Sequence, residues 1–221
     1  MDGQLIVWDA YDGQILFTYQ DPIGGLKSVA FSPDGELLAI GINGELNNPV
    51  GSTTILDAVT GQVLHNLSDE QQSGWVWDLA FSPIGGQLAA VAWSGDGIVW
   101  DPSSGEIQYS LQGQGAGTSV AFNPAGTLLA AGDGAGKITL WEAGSGLPLF
   151  SLPGHGSLLV SGLAFSPDGK YLASASLDGT ARLFVIPPDE LLALARSRLT
   201  RAWTVEECQQ YLHTEVCPST P

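Results

Sequence analysis

A short phrase recurs four times along the chain, and this repetition limits the fold more than any other feature. Each copy begins Ala-Phe, passes through a turn that contains Pro and Gly, and ends in a second apolar run; the copies begin at Ala30, Ala80, Ala121 and Ala164. Because Pro presets φ and Gly accepts positive φ, apolar runs separated by such turns predict β-hairpins. The copies are spaced by roughly 40–50 residues, which suits a unit of four short strands.

The repeats divide the chain into a partial unit, three complete units and an incomplete last unit. They cover, in order, residues 2–20, 24–68, 74–113, 117–154 and 156–184. The first has only two strand-like runs, and the last is followed by Pro187-Pro188, which cannot continue a sheet ladder. The total is about 17 strands, which is not a multiple of four. We therefore expect that the chain is the C-terminal part of a longer protein and that alone it forms an open arc. The exposed edges of that arc can pair with missing strands or with another chain.

The tail has a different period and predicts a second domain. Leucines in residues 189–199 recur with helical spacing, and Thr204-Val205-Glu206-Glu207 has the pattern of a capping box. We expect a short α-helical hairpin over residues 189–221, following a β domain over residues 1–188.

The charge of the chain excludes two classes of partner. The 221 residues have a formal net charge of −16, which repels nucleic acid and anionic membrane. No apolar run approaches the length of a membrane-spanning helix. We expect a cytoplasmic protein that binds neither.

The recurring AFSPDG, the Asp-Gly turns and the closing pairs Trp8-Asp9 and Trp100-Asp101 resemble the WD-repeat (WD40) β-propeller family. The resemblance covers roughly residues 2–186, and the tail is similar to the C-terminal extension of bacterial WD-repeat proteins. It implies an all-β fold, a β-propeller of four-stranded antiparallel blades, here partial with about 4–5 blades.

The resemblance also implies a structural network in the last unit. In this family a His, a Ser, the turn Asp and a strand Trp form a hydrogen-bonded tetrad. The matching residues here are His155, Ser174, Asp178 and Phe184. Because Phe184 replaces the Trp, the final hydrogen bond cannot form, and we expect the other three residues to be structural.

The function that follows is a non-enzymatic scaffold that binds a protein or peptide. Its candidate contacts are large aromatic residues at strand ends and polar residues in an insertion: Trp75, Trp77, Trp93, Asn47 and Asn48. Gap filling between blades is the competing explanation for the tryptophans, and a tolerated loop is the competing explanation for the insertion. The alternative function is a regulatory or sensor module of a larger bacterial signalling protein, with a kinase or NTPase upstream.

The remaining chemistry does not indicate an enzyme, a cofactor or a metal site. Cys208, His213 and Cys217 include ligand types for zinc, but a structural zinc site normally needs four ligands. A disulfide between the two cysteines and two free thiols are the alternatives. No Gly-rich stretch precedes a helix as a phosphate cradle would.

Overall fold

The computed structural model describes residues 3–22, 25–43, 51–67, 75–93, 95–113 (without the side chains of 95 and 96) and 115–186. The chain divides into two compact units, Met1–Val185 and Ile186–Pro221. Only the first residue of the second unit is described. The predicted helical hairpin, with Cys208, His213 and Cys217, therefore lies outside the described residues, as does the insertion with Asn47 and Asn48.

The described residues form seventeen β-strands. In chain order they are β1 (Gln4–Trp8), β2 (Ile15–Gln20), β3 (Leu26–Phe31), β4 (Leu37–Ile42), β5 (Ser52–Asp57), β6 (Val63–Leu67), β7 (Val76–Phe81), β8 (Leu88–Ala92), β9 (Gly95–Trp100), β10 (Ile107–Leu111), β11 (Gly117–Phe122), β12 (Leu128–Asp133), β13 (Ile138–Glu142), β14 (Pro148–Leu152), β15 (Val160–Phe165), β16 (Tyr171–Ser176) and β17 (Ala181–Val185). None of the described residues forms a helix that could cross a membrane.

The strands form five antiparallel sheets in which neighbours in sequence are neighbours in space. The sheets are β1–β2, β3–β6, β7–β10, β11–β14 and β15–β17. Three of them have four strands, which confirms the predicted all-β class and its four-stranded antiparallel units. We call them sheets 1 to 5.

The Ala-Phe phrase builds the hairpin between the first two strands of each sheet. In sheet 2, Ser32 Oγ accepts a hydrogen bond from Leu37 N (2.8 Å) and donates one to Asp34 Oδ1 (2.5 Å). Gly35 has φ +77°, which a residue with a side chain rarely adopts. Ser166 and Asp168 make the same bonds in sheet 5, with Tyr171 N as the donor to the serine. The turn residues therefore satisfy their own backbone and fix the hairpin register.

A β-bulge interrupts the beginning of the first strand in sheets 2 to 5. The register shifts between Leu26 and Ser28, Val76 and Asp78, Gly117 and Ser119, and Val160 and Gly162. A bulge redirects the side chains beside it. The four bulged residues are Lys27, Trp77, Thr118 and Ser161.

Adjacent sheets pack face to face through alternate residues, mainly of their first three strands. One buried cluster joins Ala89 and Val91 of sheet 3 to Val120 and Phe122 of sheet 4. Another joins Ala39 and Ile55 of sheet 2 to sheet 3. The period-2 alternation of the sequence thus gives each inner strand one face toward each neighbouring sheet.

Pairs of one Gly and one Val set the closest approach between these sheets. A Cβ on Gly41 would lie 2.7 Å from Val76 Cγ1, one on Gly117 would lie 2.5 Å from Val91 Cβ, and one on Gly132 would lie 2.6 Å from Val160 Cβ. The glycine is on the earlier sheet in the Gly41 and Gly132 pairs and on the later sheet in the Gly117 pair. The volume of each pair is therefore preserved while its residues change places.

Candidate functional site

The predicted tryptophans lie at one end of the sheets. We call it the top end; it is where β3, β7, β11 and β15 begin and where β4, β8, β12 and β16 finish. Trp75 directly precedes β7 and Trp93 directly follows β8, and the Trp93 backbone N–H donates to the Trp75 carbonyl oxygen at 3.0 Å. Because antiparallel neighbours begin and finish at the same edge, this hydrogen bond closes the top of the hairpin.

Trp77 and Trp93 form an aromatic pair at this end. Their ring centroids are 5.3 Å apart and their planes are tilted by 32°, which is within the range of favourable aromatic pairs. Trp77 is half-buried and its Nε1 has no hydrogen-bond partner among the described residues. Trp75 and Trp93 are 39% and 43% exposed. Trp77 therefore packs against Trp93, and Trp75 and Trp93 present apolar surface to solvent.

Neighbouring sheets complete this aromatic cluster. Lys27, the bulged residue of sheet 2, holds its Nζ 4.5 Å from the Trp77 ring centroid, as a cation–π contact does. On the other side, a Cβ on Gly134 would lie 3.2 Å from Trp93 Cη2, so that glycine leaves room for the indole. We call Lys27, Trp75, Trp77 and Trp93 the tryptophan cluster. The repeat pattern alone did not identify Lys27, because its contact joins two different sheets.

A chain of hydrogen bonds beside the cluster joins four sheets, and the sequence analysis missed it. Ser28 Oγ of β3 donates to Asp78 Oδ1 of β7 at 3.2 Å. Ser119 Oγ and Val120 N of β11 donate to Asp78 Oδ2, each at 3.0 Å. Leu163 N of β15 donates to Ser119 Oγ at 3.2 Å. We call Ser28, Asp78, Ser119 and the Leu163 N–H the inner-strand relay.

The relay had a signal in the sequence. Each of its three side chains stands two residues before the Ala of the Ala-Phe phrase, where an apolar strand residue would otherwise be expected. Glycine, at position 162, fills this place in the last sheet. A carboxylate with two acceptor oxygens in the middle position can serve donors from both neighbouring sheets at once.

The three polar residues of the predicted tetrad lie together at the top end of sheet 5. His155 Nε2 is 2.7 Å from Ser174 Oγ, and His155 Nδ1 is 2.9 Å from Asp178 Oδ2. Hydrogen bonds, first from the Thr180 hydroxyl and then from the Thr180 N–H and His155, hold the pKa of Asp178 below its usual value. Phe184 lies on β17 opposite Leu172 and supplies no polar group.

This Asp-His-Ser order has the form of a nucleophilic triad, but its serine is shielded. His155 and Ser174 are 1% and 2% exposed, so a substrate could not reach Ser174 Oγ. A Cβ on Gly154 would lie 1.6 Å from the Gly136 carbonyl oxygen, which shows how tightly the turn before His155 is packed. The three side chains form a hydrogen-bonded network in which His155 and Ser174 are buried. Among the described residues, no group of three or more His, Cys, Asp or Glu side chains could hold a metal ion.

Comparison with protein-family models identifies the repeat. The model described as WD domain, G-beta repeat (WD40) matches residues 61–101, 105–142 and 146–184, together more than half of the chain. The protein belongs to the WD40 repeat family. Each matched stretch contains the last strand of one sheet and the first three strands of the next, so consecutive repeats interlock.

Relatives with known names carry the same repeat. The chain is 30% identical over 192 residues to WD repeat-containing protein SL1-17 of Schistosoma mansoni, a match that covers 87% of this chain and 47% of that protein. It is 29% identical over 100 residues to WD repeat and SOCS box-containing protein 1 of Mus musculus, covering 45% of this chain and 22% of that protein. The chain thus spans about half or less of the length of these relatives.

Two designed proteins of known structure share the fold. The computationally designed Ika8 protein is 26% identical with a TM-score of 0.69, and the match covers 84% of this chain and 53% of that one. The computationally designed Ika4 protein is 26% identical with a TM-score of 0.65, and the match covers 79% of this chain and 99% of that one.

Proposed function

We propose that this WD-repeat protein is a non-enzymatic scaffold that binds a protein or peptide partner at the top end of sheets 2 to 4, through the tryptophan cluster. The observation that carries the proposal is the partial exposure of Trp75 and of Trp93, whose ring packs against the half-buried Trp77. Exposed indoles on a rigid base offer a large contact area and lose little side-chain entropy on binding.

The packing beneath the cluster supports this role. Trp77 is held by Lys27 from one sheet and by Trp93 from its own, and the inner-strand relay runs beside it. A surface that is ordered before binding loses less free energy on association than a flexible one. Gap filling accounts for the half-buried Trp77 but not for the exposed rings of Trp75 and Trp93.

Two further expectations belong to the same proposal. The insertion with Asn47 and Asn48 connects β4 to β5 and would join the surface as an additional contact, because β4 finishes and β5 begins at the top end. The scaffold would act in the cytoplasm. The regulatory role in a bacterial signalling protein remains a prediction; the named relatives come from animals.

Replacing single aromatic residues tests the proposal. Trp75→Ala and Trp93→Ala should each weaken capture of a specific partner by about tenfold, because truncating an aromatic hot spot typically costs more than about 1 kcal/mol. Tyr11→Ala is the matched control, since Tyr11 is fully exposed in the turn between β1 and β2. Capture that is equally strong for all three variants would contradict the proposal, provided that their circular dichroism and thermal unfolding match those of the wild type.

A further inference from the structure

The end of the sheets opposite the tryptophan cluster exposes large apolar side chains. We call it the bottom end; it is where β3, β7 and β11 finish and where β6, β10 and β14 begin. Each of sheets 2 to 4 has four strands and packs between two described sheets, so missing strands do not account for this exposure. Six apolar residues at the bottom end of these three sheets are between 44% and 79% exposed, and we call them the bottom surface: Val59, Val63, Leu64, Ile84, Ile107 and Leu147.

Contacts between neighbouring sheets make the bottom end continuous. The turn between β9 and β10 of sheet 3 lies on β6 of sheet 2, because His65 Nε2 is 3.0 Å from the Ser103 carbonyl oxygen. The turn between β11 and β12 of sheet 4 lies on the turn between β7 and β8 of sheet 3. A Cβ on Gly126 in the first of these two turns would lie 2.6 Å from Ile84 Cγ1 in the second. The exposed apolar residues therefore lie along one end of three sheets that are in contact there.

The charges beside the bottom surface are all of one sign. The turns at the bottom end of sheets 2 to 4 contain no Lys or Arg, and hydrogen bonds hold the pKa of Asp34 and Asp101 below the usual value, in each case above all from a serine hydroxyl two residues away. These carboxylates are therefore ionised at neutral pH. Six acidic residues belong to these turns: Asp34, Glu36, Asp57, Asp101, Glu106 and Glu142.

We infer that the bottom surface docks a basic amphipathic helix of a protein partner. The apolar side of the helix would cover the six apolar residues, and its Lys or Arg side chains would lie toward the carboxylates of the turns. A helix fits better than an added strand, because the surface crosses from sheet to sheet whereas a strand added to β6 or β10 would follow one sheet only. Stacked sheets lie about 10 Å apart, so three of them span at least about 20 Å, the length of a helix of about 14 residues.

Charge disfavours the other occupants of such a surface. A second copy of this chain has the same acidic turns and the same formal net charge of −16, so like charges oppose its docking. Nucleic acid and anionic lipid are repelled in the same way. The bottom surface lies at the opposite end of the sheets from the tryptophan cluster and takes a partner of its own. The scaffold would therefore hold two partners at once, one at each end.

A synthetic peptide of about 18 residues, made of Leu and Lys with the leucines on one face of a helix, is a direct probe of the bottom surface. We expect it to bind the 221-residue protein in fluorescence anisotropy, and to bind more weakly as salt screens the charges. Leu64→Gln and Ile107→Gln should each weaken binding about fivefold, because each removes apolar area that the peptide buries. Glu106→Gln should weaken it about twofold at low salt and leave it unchanged at high salt, because it removes one exposed charge. Gln108 of sheet 3 already occupies the position equivalent to Leu64, so glutamine suits the fold there.

Leu177→Gln is the matched control, because Leu177 is an exposed apolar residue that directly follows β16 at the top end. It should leave the affinity unchanged, and urea unfolding shows that each variant folds. The inference fails if the peptide does not bind, or if Leu177→Gln weakens binding as much as Leu64→Gln.

Two further peptides of the same length and pattern separate the apolar contribution from the charge. In one peptide Glu replaces Lys, and in the other Ser replaces Leu; the inference fails if either binds as tightly as the Leu and Lys peptide. It also fails if the wild type sediments as a dimer that Leu64→Gln dissociates, because the occupant would then be a second copy. The tryptophan cluster is a separate surface, so none of these failures would overturn the scaffold proposal.

Discussion

Replacing Asp78 should destabilise the protein more than replacing any exposed turn carboxylate. Asp78 accepts hydrogen bonds from Ser28 Oγ, Ser119 Oγ and Val120 N, and from Leu79 N at 2.9 Å. Val120 and Ser119 are almost fully buried. In Asp78→Ala, the Val120 N–H and the Ser119 hydroxyl both lose their acceptor.

The size of the effect follows from those two donors. A buried donor left without a partner costs about 1–3 kcal/mol, and water that enters beside the truncated side chain recovers part of this. We expect Asp78→Ala to lower the free energy of unfolding by about 2–4 kcal/mol. Asp78→Asn keeps the shape and one acceptor oxygen, so its loss should be about half as large, roughly 1–2 kcal/mol.

Urea unfolding followed by tryptophan fluorescence measures both variants. Asp12→Ala is the control, because Asp12 lies in an exposed turn and accepts one backbone hydrogen bond, from Gln14 N at 2.9 Å; its change should stay within about 0.5 kcal/mol. A loss of under about 0.5 kcal/mol for Asp78→Ala, at an unchanged slope with urea, would refute the claim that the relay ties the sheets together.

Three further predictions concern the sheet contacts, the buried histidine and the turns. Gly132→Ala should lower the free energy of unfolding by about 1–3 kcal/mol because its Cβ would overlap Val160. The added change Val160→Ala should recover part of that loss, and Gly162→Ala, where a Cβ has open space, should leave stability unchanged. Equal losses in urea unfolding for Gly132→Ala and Gly162→Ala would contradict this explanation. His155→Ala should lower the free energy of unfolding by about 2–4 kcal/mol because it opens a cavity and removes the hydrogen-bond partner of Ser174. An unchanged melting temperature would show that the network of His155, Ser174 and Asp178 does not stabilise the fold. Hydrogen bonds, chiefly from the Thr60 N–H and hydroxyl, lower the pKa of Asp57 below 3.8, so the stabilisation by its carboxylate is present above pH 3.8 and is lost as the pH falls through the lower folded-state pKa. Asp57→Asn should therefore have a lower melting temperature than the wild type at pH 7 and the same melting temperature in strong acid. A difference in melting temperature that stays constant with pH would disprove this linkage.

The sequence predicted the hairpins because their signal is local. The Pro and Gly of each Ala-Phe phrase fix a turn within a few residues. The repeated positions of Leu56, Trp100 and Trp141 are the last or next-to-last residues of β5, β9 and β13. Trp75 and Trp93 could also be located at strand ends, since a strand boundary depends on nearby residues. The exposure of the two side chains could not be predicted, because it depends on which face of sheet 3 each neighbouring sheet covers.

Contacts between sheets were harder to predict because residues of different types occupy equivalent positions and make equivalent contacts. Ser28, Asp78 and Ser119 occupy one position of the repeat, yet only their three-dimensional order shows that a carboxylate lies between two hydroxyls. The Gly–Val pairs also exchange sides between repeats, so neither residue type occupies its position in every repeat. Lys27 is the bulged residue of β3 and contacts Trp77 of the next sheet, a pairing that no feature of the repeated phrase indicates.

The most direct measurement of the scaffold role is site-specific photocrosslinking to a bound partner. A photoreactive amino acid replaces Trp75 at the top end in one variant and Tyr11 in the turn between β1 and β2 in another. We predict that the partner crosslinks at position 75 and not at position 11. Crosslinking at position 11 alone would contradict it, because the partner would then bind away from the tryptophan cluster.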